Sequence, residues 1–244
     1  MDPLTYLLAT LAGFAAGFIG SVVGGGGLIS IPALMFLGLP PVQAIATSRF
    51  GTIGLFATAI PKYNKAKKVN WKLVPPIFLI YAAAAFIGAN ITLSIDQDIL
   101  SKAIGVIILA VLIVLMLKPE IGVKKRKSNK PLGYLLSFFV GGWGGFFGGG
   151  YGILARYVFT IVLGLPFLNA VATSLIAGLG IVVTSLAVFA LAGVIQWDIG
   201  IAMGIGFLLG GFAGPRIAIK KGDAWVRRLF IAFVIASAVK LLLF

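Results

Sequence analysis

The chain has 244 residues, 60% of them hydrophobic, and carries 20 Lys and Arg against six Asp and Glu, for a net charge of +14. It has neither Cys nor His, which excludes a thiolate nucleophile, an imidazole base and a Cys/His metal site. We therefore expect that the protein is not an enzyme and binds no metal and no cofactor. The aromatic residues lie in apolar runs rather than among the basic clusters, so we expect no nucleic-acid partner.

Long uncharged runs indicate an all-α polytopic membrane protein that has the lipid bilayer as its partner. These runs lie at 4–23, 73–93, 132–155, 157–197 and 199–215. A helix needs about 20 apolar residues to span a bilayer, and the runs lack the alternation of a membrane β-barrel. The N-terminus has an acid and no basic residue, so we expect residues 4–23 to be retained rather than cleaved as a signal peptide.

The first apolar run is interrupted by four consecutive glycines, Gly24–Gly27. Each glycine disfavours a helix by about 1 kcal/mol relative to Ala, so four together should break it. We predict a hairpin with an arm over 4–23, a turn at the glycines and a return arm over 28–38 that is too short to span a bilayer. The alternative is a stripe of small residues for close helix packing, which we expect for pairs such as Gly13 and Gly17.

The basic residues are concentrated in three short segments. Sixteen of the 20 Lys and Arg fall in 62–72, 118–130 and 216–228, whereas the segment 94–98 is acidic. By the positive-inside rule the basic segments should face the cytoplasm and the acidic one the opposite side. We therefore expect a multi-pass protein of the cell membrane, that is, the plasma or inner membrane.

The chain resembles itself at an offset of 126 residues, because "LGLPPVQAIATS" at 37–48 matches "LGLPFLNAVATS" at 163–174. Two homologous repeats explain this match more simply than shared hydrophobic composition. The predicted divisions are a first repeat at 1–117, a basic cytoplasmic linker at 118–131 and a second repeat at 132–244.

The second repeat contains its own glycine-rich break. We predict an arm over 132–147, a turn at 148–152 and a return arm over 153–164, with Arg156 on the first turn of that return arm. The offset of 126 residues pairs Gly24 with Gly150, Gly26 with Gly152 and Ser30 with Arg156. We expect the tips of the two hairpins to meet near the middle of the membrane.

The two repeats are expected to be inverted relative to each other. If each break is a re-entrant hairpin, each repeat crosses the membrane three further times, and this odd number inverts the second repeat. The predicted crossings are 45–61, 73–93, 99–117, 170–190, 197–215 and 226–244. This arrangement places every basic segment in the cytoplasm and both termini outside. Four crossings per repeat would instead give parallel repeats, with segment 216–228 outside.

The two breaks together predict an anion-binding site. A helix that begins at mid-depth presents free N–H groups and a partial positive charge. Arg49 and Arg156 lie deep in apolar sequence without a nearby acid, and intramembrane arginines usually have a function. The repeated A-x-A-T-S motif adds hydroxyl groups. The candidate substrate-binding residues are Gly24, Gly25, Gly26, Gly27, Ser30, Gln43, Thr47, Ser48, Arg49, Gly149, Gly150, Gly152, Arg156, Asn169, Thr173 and Ser174.

These candidate residues also have structural interpretations. Thr and Ser in membrane helices often donate to the carbonyl four residues earlier. Arg49 can instead reach a membrane interface or brace a neighbouring helix, and Arg156 can pair with the carbonyl groups at a helix C-terminus. The sequence alone leaves both interpretations open.

Three segments resemble the sulfite exporter TauE/SafE family, also called 4-toluene sulfonate uptake permeases. They are "GFIGSVVGGGGLISIPAL", "LGLPPVQAIATS" and "GGWGGFFGGGYGILARYVF", and the similarity covers essentially the whole chain. The resemblance implies about eight membrane segments and the transport of sulfite, sulfoacetate or another organosulfonate. Such substrates agree with the anion site predicted from the residues.

The leading interpretation is a secondary transporter or facilitator of a small anion that works by alternating access around a midplane site. Coupling to Na⁺ and uncoupled flow both remain open. An anion channel and a non-transporting membrane partner protein are the alternatives, and flux measurements in liposomes would separate them. The sequence leaves the particular anion, the direction of transport and the oligomeric state open, a homodimer included.

Overall fold

The computed structural model describes residues 2–100, 102 and 128–243, and among these residues the chain is helical and has no strand. The helices are α1 (Pro3–Val22), α2 (Gly27–Phe36), α3 (Pro41–Lys65), α4 (Val74–Ser94), α5 (Lys130–Phe146), α6 (Tyr151–Tyr157), a π-helix (Val158–Val162), α7 (Phe167–Ala177), α8 (Leu179–Leu191) and α9 (Trp197–Leu243). α9 is interrupted at Gly222, whose φ is 75°. Most of the predicted crossing 99–117 and residues 118–127 of the linker lie outside the described residues.

Four helical stretches in the described part of the chain are long and apolar enough to cross a membrane. They are Pro3–Val22, Val74–Ser94, Phe167–Leu191 and Trp197–Gly222. Two further apolar helical stretches, Gly27–Phe36 and Tyr151–Val162, are shorter. The described residues therefore agree with the predicted all-α membrane architecture.

The repeated "LGLP" sequence ends one helix and starts the next. Gly38 and Gly164 adopt positive φ values of 92° and 72° directly after the return arms, a conformation that glycine adopts at no steric cost. Pro40 and Pro166 then stand at the N-cap positions of α3 and α7. The motif thus fixes the same connection in both halves of the chain, α1–α4 and α5–α9.

Both glycine-rich segments break their helices, as predicted. α1 ends at Val22, and the chain turns through Gly24, whose φ is 93°, before α2 begins. α5 ends at Phe146, and the chain turns through Gly148 and Gly150, whose φ values are 80° and 75°, before α6 begins. We call these two units the first hairpin (α1–α2) and the second hairpin (α5, α6 and the π-helix).

The second hairpin differs from its predicted boundaries. Its return arm begins at Tyr151 instead of 153, so the prediction that Arg156 lies on the first turn of the arm is wrong, and Arg156 lies in the last turn of α6. The first glycine with a positive φ after the first arm, α5, is Gly148. It corresponds to Gly24, the first such glycine after α1, at an offset of 124 residues. The pairing at an offset of 126 is therefore wrong at this point for Gly24 with Gly150, Gly26 with Gly152 and Ser30 with Arg156.

The length of the return arm explains the change of offset. The first return arm, α2, has ten residues, whereas α6 and the π-helix contribute seven and five. A π-helix accommodates extra residues because its hydrogen bonds run from residue i to i+5. The two additional residues are absorbed there, and the offset returns to 126 at Gly164. The predicted crossing 170–190 is also divided, since α7 ends at Ala177 and α8 begins at Leu179.

The first arm of each hairpin packs against a helix of the opposite half. α1 packs on α9, and α5 packs on α4. In addition, α3 packs on α9 and α8 packs on α4. A Cβ on Gly17 of α1 would lie 2.8 Å from the Cα of Phe207, and one on Gly141 of α5 would lie 3.0 Å from the Cα of Tyr81. Small residues that let backbones approach closely are the usual means of helix association in membranes.

The most buried helix of the described chain is α7, which packs against α3, α4, α6 and α9. Ten of the eleven residues of α7 are buried, and α3 buries the stretch from Ala44 to Arg49. α7 carries "ATS" at its centre and α3 carries the matching "ATS", so the repeated polar residues lie inside the protein. This arrangement places polar groups where the hairpin tips also arrive.

Candidate functional site

The tips of the two hairpins meet beside a cavity bordered by α1, α2, α3, α6 and α7. A Cβ on Gly27 would lie 2.9 Å from the Cα of Gly149, and one on Gly152 would lie 2.8 Å from the Cα of Gly24, so the two backbones touch. The centre of a water-sized sphere can move through about 50 Å³ of this cavity. One water needs about 10–15 Å³ by the same measure, so a few waters or one small oxyanion would fit.

Two buried arginines border the cavity. Arg49 of α3 is 4% exposed and Arg156 of α6 is 2% exposed. Arg49 donates from Nη2 to the carbonyl oxygen of Gly144, and Arg156 donates from Nη2 to the carbonyl oxygen of Gly20 at 3.2 Å. The guanidinium carbon of Arg49 also lies 5.8 Å from the ring centre of Tyr151, within range of a cation–π interaction. Each arginine therefore binds the first arm of the opposite hairpin.

The two arginines contact corresponding points of the two hairpins. A Cβ on Gly24 would lie 2.8 Å from Cζ of Arg156, and one on Gly148 would lie 3.0 Å from Cζ of Arg49. In both hairpins the carbonyl that accepts from the arginine belongs to the residue four positions before that glycine. The arginines themselves are not equivalent, because the position 126 residues after Arg49 is Leu175. Two unrelated positions thus supply the same contact.

The sequence around the arginines supplies no acidic counter-ion. Residues 3–95 and 121–197 contain neither Asp nor Glu. Nε of Arg49 and both Nε and Nη1 of Arg156 are buried and have no hydrogen-bond partner among the described residues. Arginine stays protonated in proteins, and a buried charge without a partner is costly. These groups are therefore suited to an anion that accepts several N–H hydrogen bonds.

Serine hydroxyls complete the polar wall of the cavity. Ser48 borders the cavity, and its Oγ lies 2.6 Å from the Oγ of Ser30, which does not itself border the cavity. Ser174 also borders the cavity and donates to the carbonyl of Val171 at 3.2 Å. Thr52, one turn after Ser48, donates to the Ser48 carbonyl at 2.8 Å. Each hydroxyl has one proton, so Ser174 and Thr52 can donate to a ligand only in place of the carbonyls that they now contact.

The two repeated threonines hold the segments before α9 and α4. Thr47 Oγ1 accepts from the backbone N–H of Gln196 at 3.0 Å, and Thr173 Oγ1 accepts from that of Asn70 at 2.9 Å. Gln43 Oε1 accepts from Nε2 of Gln196 at 3.1 Å. Both threonine contacts join residues related by the offset of 126. The hydrogen bonds place these side chains in the scaffold around the cavity.

The structure brings half of the sixteen candidate residues to the cavity wall. Those that border it are Gly24, Gly26, Gly27, Ser48, Arg49, Gly152, Arg156 and Ser174. Those that lie outside the wall are Gly25, Ser30, Gln43, Thr47, Gly149, Gly150, Asn169 and Thr173. Gly149 and Gly150 shape the second turn, where the Gly149 carbonyl accepts from the indole N–H of Trp143 at 3.1 Å.

Other residues of the wall are absent from the sequence-based candidates. They include Gly20, Thr52, Phe147, Gly148, Tyr151 and Leu175. Gly148 and Tyr151 fall within the predicted turn, and Thr52 follows Ser48 by four residues, a spacing that places both on one helix face. Phe147 and Leu175 are apolar and give no sequence signal for a polar site.

Comparisons with known proteins place the chain in a family. The model of the family described as "Sulfite exporter TauE/SafE" matches residues 9–241. A probable membrane transporter protein of Sinorhizobium sp is 33% identical over 246 residues, which cover 99% of this chain and 94% of that protein. A probable membrane transporter protein of Haemophilus influenzae is 32% identical over 236 residues, with coverage of 95% and 92%.

A more distant relative has similar coverage. The probable membrane transporter protein YfcA of Escherichia coli is 26% identical over 245 residues, which cover 99% of this chain and 91% of that protein. No solved structure matches the chain. The names of these relatives describe transport and not catalysis, in agreement with the expectation that the protein is not an enzyme. With its apolar helices and its family match along nearly the whole length, the chain belongs to the sulfite exporter TauE/SafE family of membrane transporters.

Proposed function

We propose that the protein transports a small anion across the plasma membrane, most specifically sulfite, an organosulfonate or another sulfur oxyanion. The observation that carries this proposal is the pair of buried arginines, Arg49 and Arg156, beside a cavity whose surrounding sequence has no acid. An oxyanion would accept hydrogen bonds from guanidinium groups that lack partners among the described residues. It would also neutralise their charge.

The first turn of α2 adds backbone donors to the same cavity. The N–H of Leu28 bonds to the Gly25 carbonyl at 3.0 Å, so the N–H groups of Gly26 and Gly27 precede the hydrogen-bonded turn. Both glycines border the cavity, as Arg156 does. A helix N-terminus carries a partial positive charge and is a natural anion site. The helix start and the guanidinium group therefore attract the same ligand.

The size of the cavity favours a compact substrate. A free volume of about 50 Å³ suits an inorganic oxyanion or the head group of a short sulfonate. A large aromatic sulfonate would require the hairpin tips to separate. The proposed substrate class is therefore an oxyanion that carries little or no organic tail.

Matched contacts between the halves support inverted repeats and alternating access. α1 packs on α9 as α5 packs on α4, and the Thr47–Gln196 bond has its counterpart in Thr173–Asn70. Such reciprocal contacts are expected of two repeats related by a two-fold axis, and the distribution of basic residues favours the inverted arrangement. Transport would then proceed by rocking of one half against the other around the cavity.

Reporter fusions test the proposed topology. Alkaline phosphatase fused at either terminus is expected to be active, because phosphatase folds only outside the cytoplasm and both termini are proposed to be external. A fluorescent protein inserted in the linker 118–130 is expected to fluoresce and serves as the cytoplasmic control. The opposite result at the C-terminus would be a phosphatase fusion that is inactive and a fluorescent-protein fusion that is fluorescent. It would contradict the inverted arrangement and favour parallel repeats.

A thermal-shift screen tests the proposed anion site. Sulfite, sulfate, thiosulfate and sulfoacetate are to be compared at matched ionic strength, and at least one is expected to stabilise the wild-type protein. A ligand at 100 times its dissociation constant stabilises a protein by about 2.7 kcal/mol, which corresponds to roughly 5–10 °C in a chain of this size. The Arg156→Ala variant is expected to show little of this shift.

Matched variants and fluxes sharpen the screen. Arg216→Ala removes an exposed arginine of α9 and is expected to keep the full anion-induced shift. Equal stabilisation of the wild type and of Arg156→Ala would remove Arg156 from the site. In liposomes a carrier gives saturable uptake and counterflow, whereas a channel gives large currents. A protein that neither binds nor moves any of these anions would refute the proposed function.

A further inference from the structure

Buried polar side chains that lack partners are concentrated in the second hairpin and in the helices packed against it. Six buried side-chain nitrogen or oxygen atoms have no hydrogen-bond partner among the described residues, and one is Nε of Arg49. The other five belong to Tyr81, Ser137, Arg156 and Thr160. Tyr81 and Ser137 are 0% exposed and Thr160 is 6% exposed. The hydroxyls of Tyr81 and Ser137 lie near enough to interact with each other and have no other partner among the described residues. Buried hydroxyls normally have partners, so this group requires an explanation.

Two of these hydroxyls lie at the same level on facing arms of the second hairpin. Ser137 is on α5 and Thr160 is in the π-helix. A Cβ on Gly133 would lie 2.9 Å from Cγ of Leu163, which fixes the alignment of the two arms. Ser137 lies about one turn nearer the tip than Gly133, and Thr160 lies about one turn nearer the tip than Leu163.

α4 brings the third hydroxyl to this level. A Cβ on Gly141, one turn from Ser137, would lie 3.0 Å from the Cα and 3.1 Å from Cδ1 of Tyr81. Tyr81 also belongs to one cluster of packed side chains with Phe159, the neighbour of Thr160. The three hydroxyls therefore occupy one layer where α4 meets both arms of the second hairpin.

The equivalent layer around the first hairpin has only apolar residues. The offsets of 124 and 126 place Gly13, Leu34 and Phe207 at the positions of Ser137, Thr160 and Tyr81. Leu34 and Phe207 are 0% and 1% exposed, and a Cβ on Gly13 would overlap the backbone of Met203. This layer is thus filled by packed side chains and backbone.

The polar layer lies between the cavity and one end of the protein. Arg156 borders the cavity and precedes Thr160 by four residues on the same return arm. In the other direction, α5 begins at Lys130, which is exposed. Basic groups at the mouth of a route raise the local concentration of anions. Lys130, the hydroxyl layer and Arg156 therefore lie at successive levels along the second hairpin. Leu163 packs against Gly133 between Lys130 and the layer.

We propose that Tyr81, Ser137 and Thr160 line a hydrated access route between the central cavity and the membrane face on which α5 begins. The identity of the cargo rests on the proposed function, because an anion that binds Arg156 would move along this route. The equivalent route beside the first hairpin is closed by Leu34 and Phe207 in this structure. The two hairpins, although similar in fold, thus differ in access.

Single cysteines provide a direct test, because the chain has no native cysteine. Ser137→Cys and Thr160→Cys variants are treated in oriented vesicles with an impermeant anionic methanethiosulfonate reagent, and Leu34→Cys is the matched control. Both second-half variants are expected to react at least about 10-fold faster than the control, and only from the face on which α5 begins. Equally slow reaction of all three variants would overturn the proposed route.

An isosteric variant provides a second test that does not depend on the folding of the cysteine variants. Thr160→Val is expected to lower liposome uptake at least about five-fold while the anion-induced thermal shift stays unchanged, because the binding site is intact. Unchanged uptake by Thr160→Val would overturn the route even if the anion site stands. Fast cysteine labelling in a protein that moves no anion would keep the hydrated route and overturn the proposed function.

Discussion

The Gly24→Ala variant is expected to be strongly destabilised and to lose anion binding. Gly24 has a φ of 93°, and a Cβ there would overlap the guanidinium of Arg156 and lie 2.5 Å from the carbonyl carbon of Gly152. The left-handed conformation costs Ala about 1–2 kcal/mol, and overpacking adds about 1–3 kcal/mol. We therefore expect the unfolding temperature in detergent to fall by about 5–15 °C.

Gly38→Ala is the matched control for this variant. Gly38 has nearly the same φ, 92°, but nothing lies within 4 Å of a Cβ built on it. Only the conformational cost of about 1–2 kcal/mol should remain, and the anion-induced thermal shift should be preserved. If both variants lost the same stability and both kept the anion-induced shift, the tight contact between the hairpin tips would be contradicted.

The Arg49→Leu variant is expected to fold and to lose transport. Leu175, 126 residues later, already borders the cavity, so a leucine suits this environment. A buried charge without an acidic partner carries an uncompensated desolvation cost, so its replacement by an apolar residue of similar volume is expected to leave the fold stable. Loss of a hydrogen bond to a charged ligand costs about 1.5–3 kcal/mol, or roughly 10–150-fold in affinity. Uptake into liposomes should therefore fall at least about 10-fold while the unfolding temperature changes by only a few degrees.

Two comparisons decide how Arg49 acts. Arg216→Leu removes an exposed arginine and is expected to leave uptake unchanged. Normal uptake by Arg49→Leu would show that Arg49 takes no part in the site. If stability and uptake collapsed together, Arg49 would be a brace that holds the carbonyl of Gly144, which is the structural role that the sequence leaves open.

The helix breaks and the buried arginines could be predicted because their signals are local. Four consecutive glycines carry a large helix penalty wherever they lie. Arg49 and Arg156 stand out because an isolated charge in a long apolar run needs a compensating interaction. Close helix packing at Gly13 and Gly17 could likewise be predicted from small residues at helix spacing, although their partners on α9 could not.

The partners of these residues could not be predicted because they depend on tertiary structure. No local rule brings Arg49 to Gly144 or Arg156 to Gly20. The ungapped comparison of the repeats paired Gly24 with Gly150, because it could not register two residues absorbed by a π-helix. The repeated threonines suggested ligand binding, but repetition equally marks a repeated scaffold contact.

The uncompensated arginines also bear on how voltage acts on the protein. An empty cavity leaves two positive charges in a medium of low dielectric constant, whereas a divalent oxyanion brings the region to neutrality. A membrane potential of 100 mV exerts up to about 2.3 kcal/mol on each elementary charge that crosses the whole field. If the protein works by alternating access as proposed, reorientation of the empty protein would move these charges through part of this field, whereas reorientation of the loaded protein would move almost no net charge. Such a charge balance would favour the exchange of one anion for another over net one-way flow.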